Sequence, residues 1–178
     1  MKVIERTKNY FEKNGGVKGT TKSILFYTLI LLVLSNLVSY LKRPDIAFTQ
    51  APSINATLLS GSQVNLEQYH GKPLMIHFWA TWCPTCKVEA PTIDTLAKEY
   101  QVITVAVNSG SNAELKAFMN ENGYTFPVIN DQHSELSKAY HISAFPTTYI
   151  LDEKGAVSFI DVGFTSNPGL RLRLWGAK

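Results

Sequence analysis

Residues 74–80, LMIHFWA, form an almost unbroken apolar run that ends three positions before a Cys-x-x-Cys pair, Cys83 and Cys86. A run this short, preceded by the turn signal of GKP, suits a strand buried on both faces in the middle of a sheet. Beyond the pair, Ile93, Leu96, Ala97 and Tyr100 recur at i, i+3, i+4 and i+7, the spacing of one helix face. The two thiols are therefore expected where a central strand ends and a helix begins. Open α/β sheets gather their sites at that place.

The alternation continues along the chain. Residues 53–59 read as a strand, and GSQVNLEQYHGKP as a turn with a short surface segment. Residues 102–108, VITVAVN, make a second buried strand, followed by a helix over 112–122 that Gly123 stops. Residues 126–129 give another short strand, 134–140 a short helix, and TTYILD with EKGAVSFIDVG a hairpin. A last helix starts near Ser166, with Ser166 or Asn167 as cap and Pro168 in its first turn. Over 170–175 it reads as an amphipathic packing helix that leaves Arg171 and Arg173 in solvent. These elements imply an α/β fold, a mixed sheet with helices on its faces.

The 178 residues, 45% hydrophobic and 17% charged, suffice for one globular domain and a short additional piece. The net charge of +3 divides unevenly: residues 1–43 hold eight Lys or Arg against two acids, and residues 44–178 hold nine against twelve. The globular part is thus mildly acidic and has no basic stripe with interleaved aromatics, which excludes a nucleic-acid role. Residues 23–41 carry no charge, enough for one bilayer crossing as a helix. They run directly into Lys42-Arg43 without a small-residue cleavage site, which favours an uncleaved anchor over a signal peptide. Six Lys or Arg precede the span, so residues 1–22 are expected as a cytoplasmic tail and everything after Arg43 as exported. The expected layout is tail 1–22, transmembrane anchor 23–41, linker 42–50 and domain 51–178. The domain then faces the periplasm in a Gram-negative cell, or otherwise the outer side of the membrane.

Two cysteines cannot build a stapled framework, so their chemistry is the question. A thiol reacts as its thiolate, and the free N–H groups and dipole of a helix start stabilise that anion. Cys83 is therefore the expected nucleophile. Cys86, on the first turn, reaches Cys83 and can displace a bound substrate sulfur from a mixed disulfide. Pro84 and Thr85, between them, tune thiolate stability and redox poise. A structural zinc site needs four Cys or His ligands, and His70, His77, His133 and His141 are scattered, so no metal site is expected. The reading from another class is a non-enzymatic Cu(I)-binding module on the same two thiolates, with His77 or Glu89 nearby. No Met cluster or His-rich tract supports it.

FWATWCPTC, Pro91 five residues after Cys86, and SAFPTTYILDEKG some sixty residues on together resemble a thioredoxin-fold protein over residues 51–178. The anchor, the WATWC run, Glu89 and a helix-strand insertion before PTT resemble the membrane-bound TlpA and ResA type of exported thiol-disulfide oxidoreductase. The ending GFTSNPGLRLRLW is most similar to the suppressor-of-copper-sensitivity D branch. The resemblance implies a cis-proline at Pro146 and a substrate groove lined by Phe145. It also implies that Trp82 shields the nucleophile and that Pro91 kinks the active-site helix. Glu89, one turn beyond Cys86, either manages that thiol's proton, as the family suggests, or is an exposed helix acid. His77 stands where cytoplasmic thioredoxins bury an Asp; it either takes the inner face and handles a proton or is a hydrogen-bonded core histidine. No cofactor beyond the Cys83–Cys86 disulfide is implied. The implied partners are exported proteins with disulfides, among them copper-handling proteins or apocytochrome c, and a transmembrane electron donor of the DsbD or CcdA kind.

Overall fold

The computed structural model describes residues 23, 24, 26–28, 30 and 49–178. The chain forms two compact units, Met1–Arg43 and Pro44–Lys178. In the first, the described residues between 23 and 30 are helical. The tail 1–22, most of the expected span 23–41 and linker residues 42–48 lie outside the described residues. Among the described residues, no helix is long and apolar enough to cross a membrane.

The second unit is built on β3 (Leu74–Trp79), which is buried at every position. It follows a small antiparallel pair, β1 (Asn55–Thr57) and β2 (Gln63–Asn65), and a 3-10 turn, Leu66–Tyr69, that Asn65 caps. The strand expected over 53–59 is cut short because Leu58 and Leu59 leave it. The Leu59 N–H donates to Val128 O at 2.7 Å, and Leu58 bridges to Ile129. After β3 come α1 (Pro84–Ala97), β4 (Gln101–Val107), α2 (Asn112–Asn122), β5 (Val128–Asp131), α3 (Glu135–Ala139), β6 (Thr147–Leu151), β7 (Val157–Val162) and α4 (Asn167–Gly176). The five long strands form one sheet in the order β5-β4-β3-β6-β7. β3, β4 and β5 run parallel, while β6 and β7 are antiparallel to their neighbours. This is a thioredoxin fold, with α2 and β5 as the helix and strand inserted before the PTT segment.

Local chemistry sets several boundaries. Ser111 and Glu114 form a reciprocal capping box at the start of α2, and Gly123 ends it at φ 67°, a left-handed conformation that glycine adopts without a Cβ clash. Pairing of β5 begins at Val128, later than the sequence suggests. Phe126 is buried in the core, Pro127 has no N–H to give, and its carbonyl is held by the N–H and hydroxyl of Thr104, both at 2.9 Å.

The sheet separates two apolar layers. Met75 and Trp79 of β3 pack with Cys86, Ala90, Ile93 and Leu96 of α1, with Leu115 and Met119 of α2, and with Leu170 and Leu174 of α4. Leu74, Ile76 and Phe78 pack on the other side with Ile54, Val64 and Tyr140. Strand residues alternate between faces, so His77 shares the face of Met75 and Trp79. That is the face the Cys-bearing helix covers.

Candidate active site

Cys83 and Cys86 are joined as a disulfide, their Cα atoms 5.3 Å apart. Cys83 is the N-cap of α1 and Pro84 opens the helix, where its missing N–H leaves no donor unsatisfied. Cys83 Sγ accepts the backbone N–H of Cys86 at 3.1 Å. The helix start therefore already directs a donor at this sulfur. The same N–H and the helix dipole stabilise a thiolate there once the bond is reduced. Cys83 is 5% exposed and Cys86 1%, so Cys83 is the less deeply buried of the pair. Pro84 and Thr85 lie exposed between them.

Trp82 is 57% exposed, and its indole N–H donates to the carbonyl of Asn108 at 3.1 Å. Asn108 follows β4 with φ 45°, a left-handed conformation that Asn tolerates better than most residues. The next residue, Ser109, is buried; its hydroxyl accepts the Thr81 N–H and donates to Val107 O. The loop that leads into Cys83 is thus fastened to the end of β4. The rings of Trp82 and Phe145 meet edge to face, 5.5 Å between centroids. The Phe145–Pro146 bond is cis, and Thr147, next in the chain, pairs with Phe78 near the carboxyl end of β3. The cis-proline loop and the Cys pair therefore occupy one end of the sheet. The N–H of Gly163 donates to Pro146 O at 2.8 Å, which brings exposed Val162 and Phe164 to that end.

Beneath the disulfide lie two buried ionisable side chains, Glu89 and His77. Glu89, one turn after Cys86 on α1, is 0% exposed; Oε1 accepts the Thr165 N–H at 3.2 Å and Oε2 is buried without a hydrogen-bond partner. Burial raises its pKa from the ordinary 4.5 to about 7, against the Thr165 bond and with the help of nearby Asp161. His77 is buried too, and its Nδ1 lies 2.9 Å from the Thr148 hydroxyl on β6. Loss of solvent pushes the imidazole down to about 3, so the ring is neutral throughout the physiological range.

The remaining residues singled out in the sequence lie apart. His70, His133 and His141 are exposed. α1 continues through Pro91, whose carbonyl accepts the Thr95 hydroxyl at 2.9 Å. Arg171 faces solvent as expected, in an ion pair, whereas Arg173, also expected in solvent, is partly buried. Arg171 makes two hydrogen bonds to Glu99, at 2.6 and 2.7 Å, and Arg173 pairs through Nε with Asp161 at 2.7 Å, its side chain 29% exposed. Asp161 and Thr165 escaped the sequence reading, and Arg173 entered it only as a solvated helix residue. An acid within the apolar strand VSFIDV was the available signal, but its neighbours depend on the hairpin register.

Together the fold and this oxidised pair define a thiol-disulfide oxidoreductase of thioredoxin type. The chain belongs to the AhpC/TSA family, which matches residues 48–160. It is 33% identical over 164 residues to a thioredoxin-like protein of Haemophilus influenzae, covering 91% of this chain and 97% of the relative. It is 30% identical over 167 residues to the thiol-disulfide oxidoreductase ResA of Geobacillus kaustophilus, covering 87% and 96%. Among solved structures, a thioredoxin-family thiol:disulfide interchange protein of Chlorobium tepidum superposes with a TM-score of 0.65 at 28% identity, over 75% of this chain and 99% of that one.

Proposed function

We propose that this chain is a membrane-anchored, extracytoplasmic reductase of disulfides in exported proteins. The observation that carries the reading is the Cys86 N–H aimed at Cys83 Sγ, a ready donor for a thiolate on the less deeply buried of the two cysteines. The Cys83 thiolate attacks a substrate disulfide, forming a mixed disulfide and releasing the first substrate thiolate. Glu89 takes the proton of the Cys86 thiol, and the Cys86 thiolate attacks Cys83 Sγ, releasing the second substrate thiolate. The protein is left with its disulfide and a protonated Glu89. His77, neutral and hydrogen-bonded to Thr148, packs the floor of the site. A substrate segment lies extended along the Phe145–Pro146 loop, with Trp82 and Phe145 as its apolar walls.

The uncharged residues 23–41 are the anchor, and the basic tail before them keeps the N-terminus cytoplasmic. A reductase in an oxidising compartment draws electrons from across the membrane, from a thiol transporter of the DsbD or CcdA kind. Oxidised cysteines of copper-handling proteins are the favoured substrates, ahead of apocytochrome c. The full chain, expressed in a Gram-negative bacterium, should stay in the membrane pellet after alkaline washing, with the domain open to protease from the periplasmic side. Its potential should lie near the reducing end of the range known for such dithiols. A freely soluble chain removes the anchor from this reading, and a potential near the oxidising end makes the protein a disulfide donor.

Glu89 also gives the oxidised form a pH signature. Its folded value of about 7 exceeds the ordinary 4.5, so between these values the folded chain holds a proton that the unfolded chain has lost. Stability should therefore fall as pH rises through this window. In Glu89→Gln the decline should flatten, and resolution of the mixed disulfide at neutral pH should slow by about 10²-fold, the scale of general base catalysis. Thermal melts across the window and single-turnover kinetics check the two effects.

A further inference from the structure

The register of the sheet sets His77, Thr148 and Asp161 side by side on β3, β6 and β7. They share the face that α1 and α4 cover, because Ile150 and Phe159, two positions from Thr148 and Asp161, pack into that layer. Asp161 therefore lies under the Cys-bearing helix, in electrostatic reach of Glu89. From α4 comes Arg173, whose Nε meets Asp161 Oδ2 at 2.7 Å and whose Nη1 donates to Gly169 O at 3.0 Å. The connection from β7 to α4 also supplies the Thr165 N–H that holds Glu89 Oε1. One short stretch of chain, from Asp161 to Arg173, thus gives a single buried carboxyl a hydrogen-bond donor and a nearby anion, and gives that anion its cation.

We propose that Asp161 and Arg173 are positioning residues that tune the protonation of the buried Glu89: the Asp161 carboxylate adds to the hold that burial already gives the proton on Glu89, and the Arg173 guanidinium, paired with Asp161, moderates that addition. The inference rests on the reading of Glu89 as the proton acceptor for Cys86. The other charged groups on neighbouring elements are engaged, neutral or exposed. Lys87 of α1 is exposed and lies over the Phe118 ring, Asp94 pairs with Lys98, and Arg171 of α4 is held by Glu99. His77 of β3 is neutral, and Glu114, Lys116 and Glu121 of α2 are exposed. Asp161 is then the anion that repels a negative charge on Glu89, and Arg173 the cation that offsets it.

The test compares two substitutions that break the same ion pair. Each is made in the full chain, and the rate at which Cys86 resolves a preformed mixed disulfide with a small aromatic thiol is followed against pH. Asp161→Asn removes the like charge and should move the inflection of this profile down by about one pH unit. Arg173→Gln leaves Asp161 unopposed and should move it up by a similar amount. Asp161→Glu, which keeps the charge, should return the inflection close to its original place. Mere loss of structure moves both variants in the same direction. Equal-signed shifts, or none, in a protein whose inflection disappears in Glu89→Gln overturn the inference and leave the role of Glu89 standing. An inflection that survives in Glu89→Gln overturns that role, and the inference with it. If Asp161→Asn does not fold, Arg173→Gln decides alone: a rise supports the proposal, and a fall or no change overturns it.

Discussion

Cys86→Ala should accumulate substrate on Cys83 as a mixed disulfide, visible as a thiol-sensitive adduct on a non-reducing gel, while Cys83→Ala should yield no adduct. The asymmetry follows from position. Cys83 caps the helix, receives the Cys86 N–H and is the more exposed sulfur, whereas Cys86 is sealed beneath it at 1% exposure. Turnover of an insulin disulfide should fall by about three orders of magnitude in either variant, because nucleophile and resolving thiol act as a unit. Adducts that form equally through either cysteine, or turnover that survives the loss of Cys86, would contradict the assigned order of attack. The measurement needs the free thiols protected by rapid acid quenching, since exchange otherwise erases the intermediate.

Phe78→Ala should be the most damaging change outside the active site. Phe78 lies on the central strand with no exposure, against Tyr140 at 5.0 Å and Tyr149 at 6.1 Å between ring centroids. Truncating a buried aromatic ring costs about 3–5 kcal/mol, set against a total stability of roughly 5–15 kcal/mol for a domain. Chemical denaturation should show the midpoint falling steeply, with Phe78→Leu recovering much of the loss. The ring belongs to the layer opposite the cysteines. Disulfide exchange by the remaining folded fraction should consequently be little altered.

The part of the site that was legible in the sequence is the part made locally. An apolar strand, a Cys pair and a helical repeat lie within residues 74–100, and contiguous periodicity suffices to place the thiols at a helix start. The inserted helix was legible for the same reason, through its local pattern and Gly123, which the structure shows as a left-handed C-cap. What remained hidden depends on pairing across the chain. The face taken by His77 follows from which layer α1 covers, and a strand buried on both sides carries no polar alternation to reveal it. Arg173 looked solvated because its helix alone offers it no anion; Asp161 reaches it only through the register of β6 and β7. β1 stops early because Leu58 and Leu59 find partners on β5, some seventy positions further on.

The indole of Trp82 is tied to a main-chain oxygen of Asn108 and to no side chain there. No exchange of side chains at 108 can delete that acceptor. What can displace it is a residue intolerant of the φ of 45° that aims it, such as a β-branched one. How firmly the Trp82 ring is held beside the disulfide is therefore inherited from the shape of a bend beyond another strand, and evolution can loosen or tighten it without altering Trp82 or either cysteine.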